Sequence, residues 1–317
     1  MIRAGCIGAG HFGREHARIY STLEHTQLVA VCDIDPASGN SVARQHNVEW
    51  VSDFRDLIGR VDAVSLAAPT ADHRSIACEL LKAGIAVLVE KPIATTVAEA
   101  DEMIEAARAS GALLQVGHLE RFNPAVVAAR SILTRPLFFE AHRLSVFTPR
   151  SLDIDVVMDL MIHDLDIILS LVESEVIDIR ASGVPILTPK IDIANARLEF
   201  ENGCVANLTA SRVSAERVRK LRFFQPHEYV SIDYSAQETA AVSVKTDQKG
   251  RPEFDFRRLD VEKGEPLRLE IESFLAAVGG AACRATAQEG RRALGLAADI
   301  TEKIREHAGR AGVLFVR

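Results

Sequence analysis

The glycines at positions 8, 10 and 13 constrain this chain more than any other feature. Ile2-Arg3-Ala4-Gly5-Cys6-Ile7 is a short apolar run suited to a buried strand. It leads directly into Gly8-Ala9-Gly10-His11-Phe12-Gly13, the pattern G-x-G-x-x-G. Phe12, His16, Ile19, Tyr20 and Leu23 then recur at three- and four-residue steps, which predicts a helix with these residues on one face. In such a strand–turn–helix the first glycine permits the tight turn, the second lets a pyrophosphate approach the backbone, and the third lets the helix pack close to the strand. The pyrophosphate then lies at the helix N-terminus, against N–H groups without intrahelical partners and the positive end of the dipole. On this reading Gly8, Gly10, His11, Phe12 and Gly13 bind a dinucleotide.

A second apolar run, residues 27–31, ends at Cys32-Asp33-Ile34-Asp35. Asp33 stands about 20 residues beyond the glycines, where the carboxylate that holds a ribose 2′-hydroxyl is expected. A glycine-bearing surface loop, or an Asp that merely begins a βα turn, is the plainer alternative. The succession of strand, helix and strand favours the dinucleotide. Asp33 is followed by Ile34, Asp35 and Pro36, with no Arg or Lys to neutralise a 2′-phosphate. The expected cofactor is therefore NAD(H) rather than NADP(H).

At 317 residues the chain exceeds one comfortable core and predicts two domains. No run approaches the length of a membrane span, and residue 1 enters the first strand without room for a signal peptide. The five cysteines form no C-x-x-C pair and are scattered through apolar segments. That pattern predicts buried thiols in a reducing, cytoplasmic compartment and neither a disulfide framework nor a metal site. A net charge of −7 argues against a general nucleic-acid binder.

Apolar runs and helical patterns alternate to about residue 118. The apolar runs 61–67, 85–89 and 112–116 fit buried parallel strands, and Thr96 and Gly111 bracket a predicted helix. This predicts a doubly wound parallel sheet, of the Rossmann kind, over residues 1–118. Beyond it, after a helix that opens at Asn123-Pro124, short strands dominate, with one prominent helix over 156–171 and two helices over 267–278 and 287–307. Asn202-Gly203 reads as a hairpin turn. Residues 119–317 are thus expected to form a substrate-binding and oligomerisation domain, α+β, with an open-faced, mainly antiparallel sheet. An uncovered apolar sheet face is costly, which predicts a homodimer or homotetramer formed through it.

Two clusters could carry chemistry. Lys91, in Glu90-Lys91-Pro92, stands at a strand C-terminus, where it could stabilise an alkoxide or be an ordinary solvated lysine. Asp159 and His163 are four residues apart and project from one helix face. The imidazole could transfer a proton beside an orienting carboxylate, or could be a satisfied core histidine. A third segment, Gly117-His118-Leu119-Glu120-Arg121-Phe122-Asn123-Pro124, joins the domains. Arg121 and Asn123 could hydrogen-bond a sugar, Asn123 alternatively capping the next helix. Arg212, Arg217, Arg219, Lys220 and Arg222 would suit a diphosphate or, equally, discourage pairing at a solvated strand edge.

The glycine pattern, Asp33, Ala68-Pro69-Thr70 with His73, Glu90-Lys91-Pro92 and Asp159-x-x-x-His163 occur in an order that resembles the Gfo/Idh/MocA oxidoreductases over essentially the whole chain. The resemblance implies an NAD-dependent dehydrogenase in which Pro69, Thr70, His73, Glu90 and Lys91 border the cofactor and Lys91 is catalytic. It implies that His163 is the general base, that Asp159 positions the substrate or that base, and that Lys91–Pro92 is a cis peptide. Met161 stands where many relatives carry a smaller residue. The segments 116–124 and 191–212 further resemble the members that oxidise C3 of UDP-N-acetylglucosamine. Dehydrogenation of a free sugar or inositol, and a non-catalytic NAD-binding sensor, are the alternatives.

Overall fold

A computed structural model describes residues 1–148, 154–246 and 249–312. In chain order the elements begin with β1 (Ile2–Ile7), α1 (His11–Tyr20), β2 (Thr26–Cys32), α2 (Pro36–His46), β3 (Glu49–Val51), β4 (Ala63–Leu66), α3 (Thr70–Lys82), β5 (Ala86–Glu90), α4 (Val97–Ser110) and β6 (Leu114–Gly117). They continue with α5 (Pro124–Ser131), β7 (Phe138–Leu144), a π-helical turn (Val157–Met161), α6 (Ile162–Leu171), β8 (Val176–Val184), β9 (Ile193–Phe200) and β10 (Val205–Ser211). Last come β11 (Val218–Gln225), β12 (Glu228–Asp233), β13 (Glu238–Thr246), β14 (Pro252–Arg258), α7 (Pro266–Val278) and α8 (Ala287–Ala311).

The chain forms two compact units. The first is Met1–Leu119 with Glu265–Leu294; the second is Glu120–Gly264 with the chain from Gly295 onward. In the first, six parallel strands lie in the order β3-β2-β1-β4-β5-β6. This is the doubly wound order, whose ligand crevice lies at the strand C-termini beside β1. The helix ends follow local chemistry. Thr96 and Glu99 form a reciprocal capping box at the start of α4, and Gly111 closes the helix in the left-handed conformation.

The expectation that everything after residue 118 forms a single second domain needs correction. Residues 265–294 return to the first unit, because α7 carries an apolar face that completes its core. Leu267, Ile271, Phe274 and Leu275 pack in one cluster with Ala17, Ile19, Tyr20 and Leu88. Each such side chain contributes about 1.5–3 kcal/mol when fully buried.

The second unit carries an eight-stranded sheet ordered β14-β13-β12-β11-β7-β10-β9-β8. Every pairing is antiparallel except that of β7 with β10. Residues alternate buried and accessible along β7, β9 and β10, the pattern of a sheet covered on one face. Asn202-Gly203 lies in the β9–β10 turn, with Gly203 at φ 82. The helix expected over 156–171 begins as the π-helical turn that contains Asp159, and α6 proper starts at Ile162.

Candidate active site

The dinucleotide site is built where β1 meets α1. Gly8 has φ +92, and a Cβ there would lie 2.5 Å from the Ala67 carbonyl oxygen. A Cβ on Gly13 would lie 1.7 Å from the Gly8 oxygen, so the close crossing of helix and turn admits no side chain. Gly10 differs: a Cβ there would meet nothing within 4 Å. That open approach to the backbone, at the residue before the first turn of α1, fits a pyrophosphate.

Gly8 and Gly10 line a cavity of about 1000 Å³ with Cys32, Asp33, Ile34, Asp53, Arg55, Ala68, Pro69 and Asp72. The Asp33 carboxylate accepts the Ala9 N–H at 2.5 Å and the Asp35 N–H at 2.8 Å, which fixes it at the cavity wall. His11 and Phe12 lie exposed at the head of α1 in an edge-to-face pair 5.6 Å apart. The Phe12 ring is 40% exposed and does not join the buried side of α1.

Three contributors to this pocket escaped the sequence reading. Trp50, the only tryptophan, donates its Nε1–H to the Asp33 carbonyl at 3.0 Å. Gly39 makes room for it, since a Cβ there would lie 2.3 Å from the indole. A glycine inside a helical pattern was the available signal. Arg55 brings a cation to the cavity wall, but Glu79 holds it at 2.7 and 2.9 Å. Its charge is thus already matched.

Glu90 ends β5, and Lys91–Pro92 is cis. The Glu90 carboxylate accepts the Lys91 N–H at 3.3 Å and stands 2.9 Å from His16 Nε2. Pro69 lies at the cavity wall and Thr70 opens α3. His73, placed by resemblance at the cofactor, is turned inward. It is 1% exposed, its Nδ1 is 3.1 Å from the Pro92 oxygen, and its Nε2 is 2.9 Å from that of Ala68. It ties α3 to the turn after Lys91 and to Ala68, which lines the cavity. Burial lowers its pKa, against a smaller opposing pull from those carbonyls.

In the second unit Asp159 and His163 are both half-buried, Asp159 on the π-helical turn and His163 in the first turn of α6. Such turns recur at functional sites because they re-aim side chains within a helix. The same unit holds a buried ionic layer that the sequence did not announce. The Arg143 guanidinium reaches Asp164 at 2.8 and 3.0 Å and Glu120 at 2.9 Å, and lies 5.0 Å from the centre of the Tyr234 ring. Burial opposes the charge on Arg143, but the two carboxylates outweigh it and hold its pKa well above the usual range.

Arg121 and Asn123, expected at the substrate, are engaged inside this unit. Arg121 makes a two-pronged contact with Asp166 at 2.7 Å on each arm, both residues being buried. Asn123 caps α5 through the Ala125 N–H and donates to Glu120 and to the Tyr234 carbonyl. Capping is the role the structure gives it.

The basic cluster disperses. Arg212 is buried against Asp192 and the carbonyls of Ile154 and Ile191. Lys220 faces Asp233 and Arg222 faces Glu140, both at 3.6 Å. β11 lies between β12 and β7, so the strand-edge reading does not apply. Arg219 is left exposed directly opposite Arg143. Of the cysteines, Cys6, Cys32 and Cys204 are buried, whereas Cys78 and Cys283 are only partly so.

The fold and the pocket define an NAD-dependent oxidoreductase. Residues 2–118 match the oxidoreductase family with an NAD-binding Rossmann fold, and residues 125–225 match the GFO/IDH/MocA C-terminal domain. The chain belongs to the Gfo/Idh/MocA family. The UDP-N-acetylglucosamine 3-dehydrogenase of Acidithiobacillus ferrooxidans is 39% identical over 283 residues, which cover 87% of this chain and 88% of that protein. A solved structure of that enzyme superposes with a TM-score of 0.90 at 36% identity, over 96% of this chain and 98% of its own. The uncharacterized oxidoreductase YrbE of Bacillus subtilis is 30% identical over 299 residues, 88% of this chain and 87% of that one.

Proposed function

We propose that the chain oxidises a sugar hydroxyl, at C3 of UDP-N-acetylglucosamine or a closely similar nucleotide sugar. The observation that carries this reading is the extent of its likeness to the 3-dehydrogenase, which runs through both domains at 39% identity. Bound NAD supplies the hydride acceptor. His163 takes the proton of the reacting hydroxyl as the hydride leaves the same carbon, and Asp159 orients substrate or imidazole. The Lys91 ammonium stabilises the negative charge that develops on the oxygen. Glu90 borders the nicotinamide, Asp33 the adenosine ribose, and the first turn of α1 the pyrophosphate. Arg219 suits the substrate's diphosphate: it stands exposed on β11, and a guanidinium fork matches phosphate oxygens.

A second copy of the chain is proposed to cover the open face of the sheet. Phe138, Phe224 and Tyr229 form a ring ladder there at 5.8 and 5.1 Å, and Phe254 and Phe256 on β14 are 58% and 75% exposed. Sedimentation as a monomer at micromolar concentration would contradict this. Cys6, Cys32 and Cys204 are buried thiols, which accords with a reducing, cytoplasmic compartment.

The test is NADH absorbance after NAD is mixed with UDP-N-acetylglucosamine, free N-acetylglucosamine or myo-inositol, followed by product identification. A 3-keto nucleotide sugar is expected. Turnover of the free sugar or inositol alone would reassign the substrate, and NAD binding without turnover of any would indicate a sensor.

A further inference from the structure

A chain of buried hydrogen bonds runs beneath the dinucleotide pocket and ends on Glu90. Tyr20 Oη lies 2.8 Å from Ser65 Oγ, Ser65 Oγ lies 2.7 Å from His16 Nδ1, and His16 Nε2 lies 2.9 Å from Glu90 Oε1. Tyr20, Ser65 and His16 are all fully buried and Glu90 is 7% exposed. The carboxylate can only accept, so His16 donates through Nε2–H. In the neutral imidazole Nδ1 then accepts the Ser65 hydroxyl proton, and Ser65 Oγ accepts that of Tyr20. Each link carries one hydrogen, all pointing at Glu90, and this arrangement strengthens each successive bond.

Glu90 is held on other sides as well. Its Oε2 accepts the Lys91 N–H at 3.3 Å, and Gly117 on the neighbouring strand leaves just enough room, a Cβ there lying 3.1 Å from the carboxyl carbon. The chain is no proton path, because its far end is a tyrosine inside the apolar cluster shared by α1 and α7. An anchor needs no exit. His16 hangs from α1, whose first turn faces the pyrophosphate site, so one rigid helix carries both the dinucleotide and the clamp on Glu90.

We propose that His16 is a positioning residue that, through Glu90, fixes the peptide carrying Lys91 and sets its ammonium against the dinucleotide held by the same helix. This rests on the reading of Lys91 as the catalytic lysine. The test compares His16→Leu, which removes the donor, with His16→Gln, whose amide can restore it, and includes Lys91→Ala. With NAD and UDP-N-acetylglucosamine, His16→Leu should lower kcat on the order of 100-fold, as misplacement of a catalytic group by about 1 Å does. KM and NAD affinity, the latter from Trp50 fluorescence, should stay within about threefold, and His16→Gln should recover most of the loss.

Crystals of His16→Leu without substrate should show the Glu90 carboxylate turned and Lys91 displaced. Unmoved Glu90 and Lys91, unchanged kcat, loss of NAD binding in step with kcat, or no recovery in His16→Gln would each overturn the proposal. If Lys91→Ala turns over normally, the reading of Lys91 falls and takes the proposal with it. If Lys91→Ala is inactive and His16→Leu is not, the role of His16 alone is refuted.

Discussion

Arg143 and Glu120 meet at 2.9 Å with neither side chain more than 6% exposed. Glu120 precedes α5 and Arg143 lies on β7, so the pair stitches the entry of the second unit to the middle of its sheet. Asp164 completes the set from α6. Removing one member of a buried ion pair strands the other, which costs about 3–5 kcal/mol. Arg143→Ala, which strands both Glu120 and Asp164, should therefore destabilise the protein by that order in urea unfolding. A change within about 0.5 kcal/mol, the range of an ordinary surface substitution, would show the layer to be irrelevant to stability.

Gly13 and Gly10 should respond differently to the same methyl group. Gly13→Ala places it 1.7 Å from the Gly8 oxygen, so the turn must open. Loss of soluble, folded protein or a large fall in Tm is expected. Gly10→Ala points into open space. Its Tm should match the wild type while NAD affinity falls at least about tenfold, because the methyl occupies the pyrophosphate's approach. Calorimetry and a fluorescence titration separate the two outcomes.

Asp33 is already fixed by two backbone N–H groups, so its carboxylate is in place before NAD arrives. Asp33→Ala should weaken NAD binding roughly 10- to 100-fold, the worth of a hydrogen bond to a charged group. Unchanged affinity would move the ribose elsewhere.

Lys91→Ala and His163→Ala should bind NAD normally and lose turnover, the latter by about 100- to 10,000-fold as general-base removal does. Steady-state rates measured beside the binding titration decide this. Normal rates in either variant would remove that residue from the chemistry.

His73 predicts a pH dependence of stability. Burial lowers its pKa in the folded chain below the ordinary 6.5. Between those two values the unfolded state binds more protons, so stability is complete above about pH 6.5 and is lost as pH falls through the folded value. His73→Leu should lack this share of the acid-side loss. Parallel Tm profiles of the two proteins between pH 7 and 5 would refute the assignment.

What was legible in the sequence was whatever depends on neighbours along the chain. The glycine turn, the Asp33 strand end, the Thr96 cap and the Asn202-Gly203 turn are local events, and each is where its residues require. The parallel sheet followed from alternation, because βαβ connections leave few other arrangements. What could not be read were pairings between distant segments. His16 looked like one more member of a helix face, and only the structure brings Ser65 and Glu90 to its two nitrogens. Arg121 resembled a substrate ligand because Asp166, its partner 45 residues on, leaves no trace in the local pattern. The basic cluster looked continuous in sequence, yet strand alternation and distinct acidic partners divide it.

The return of α7 to the first unit has a consequence for how the protein is made. Translation delivers the nucleotide-binding strands first, but the helix that seals one flank of their core emerges almost 150 residues after β6. Until then Ile19 and Tyr20 lack the cover of Ile271 and Phe274, a deficit comparable to a whole domain's net stability of about 5–15 kcal/mol. A nascent chain stalled after residue 119 should thus stay sensitive to protease and attract chaperones, and the NAD site should mature only once the last two helices have left the ribosome.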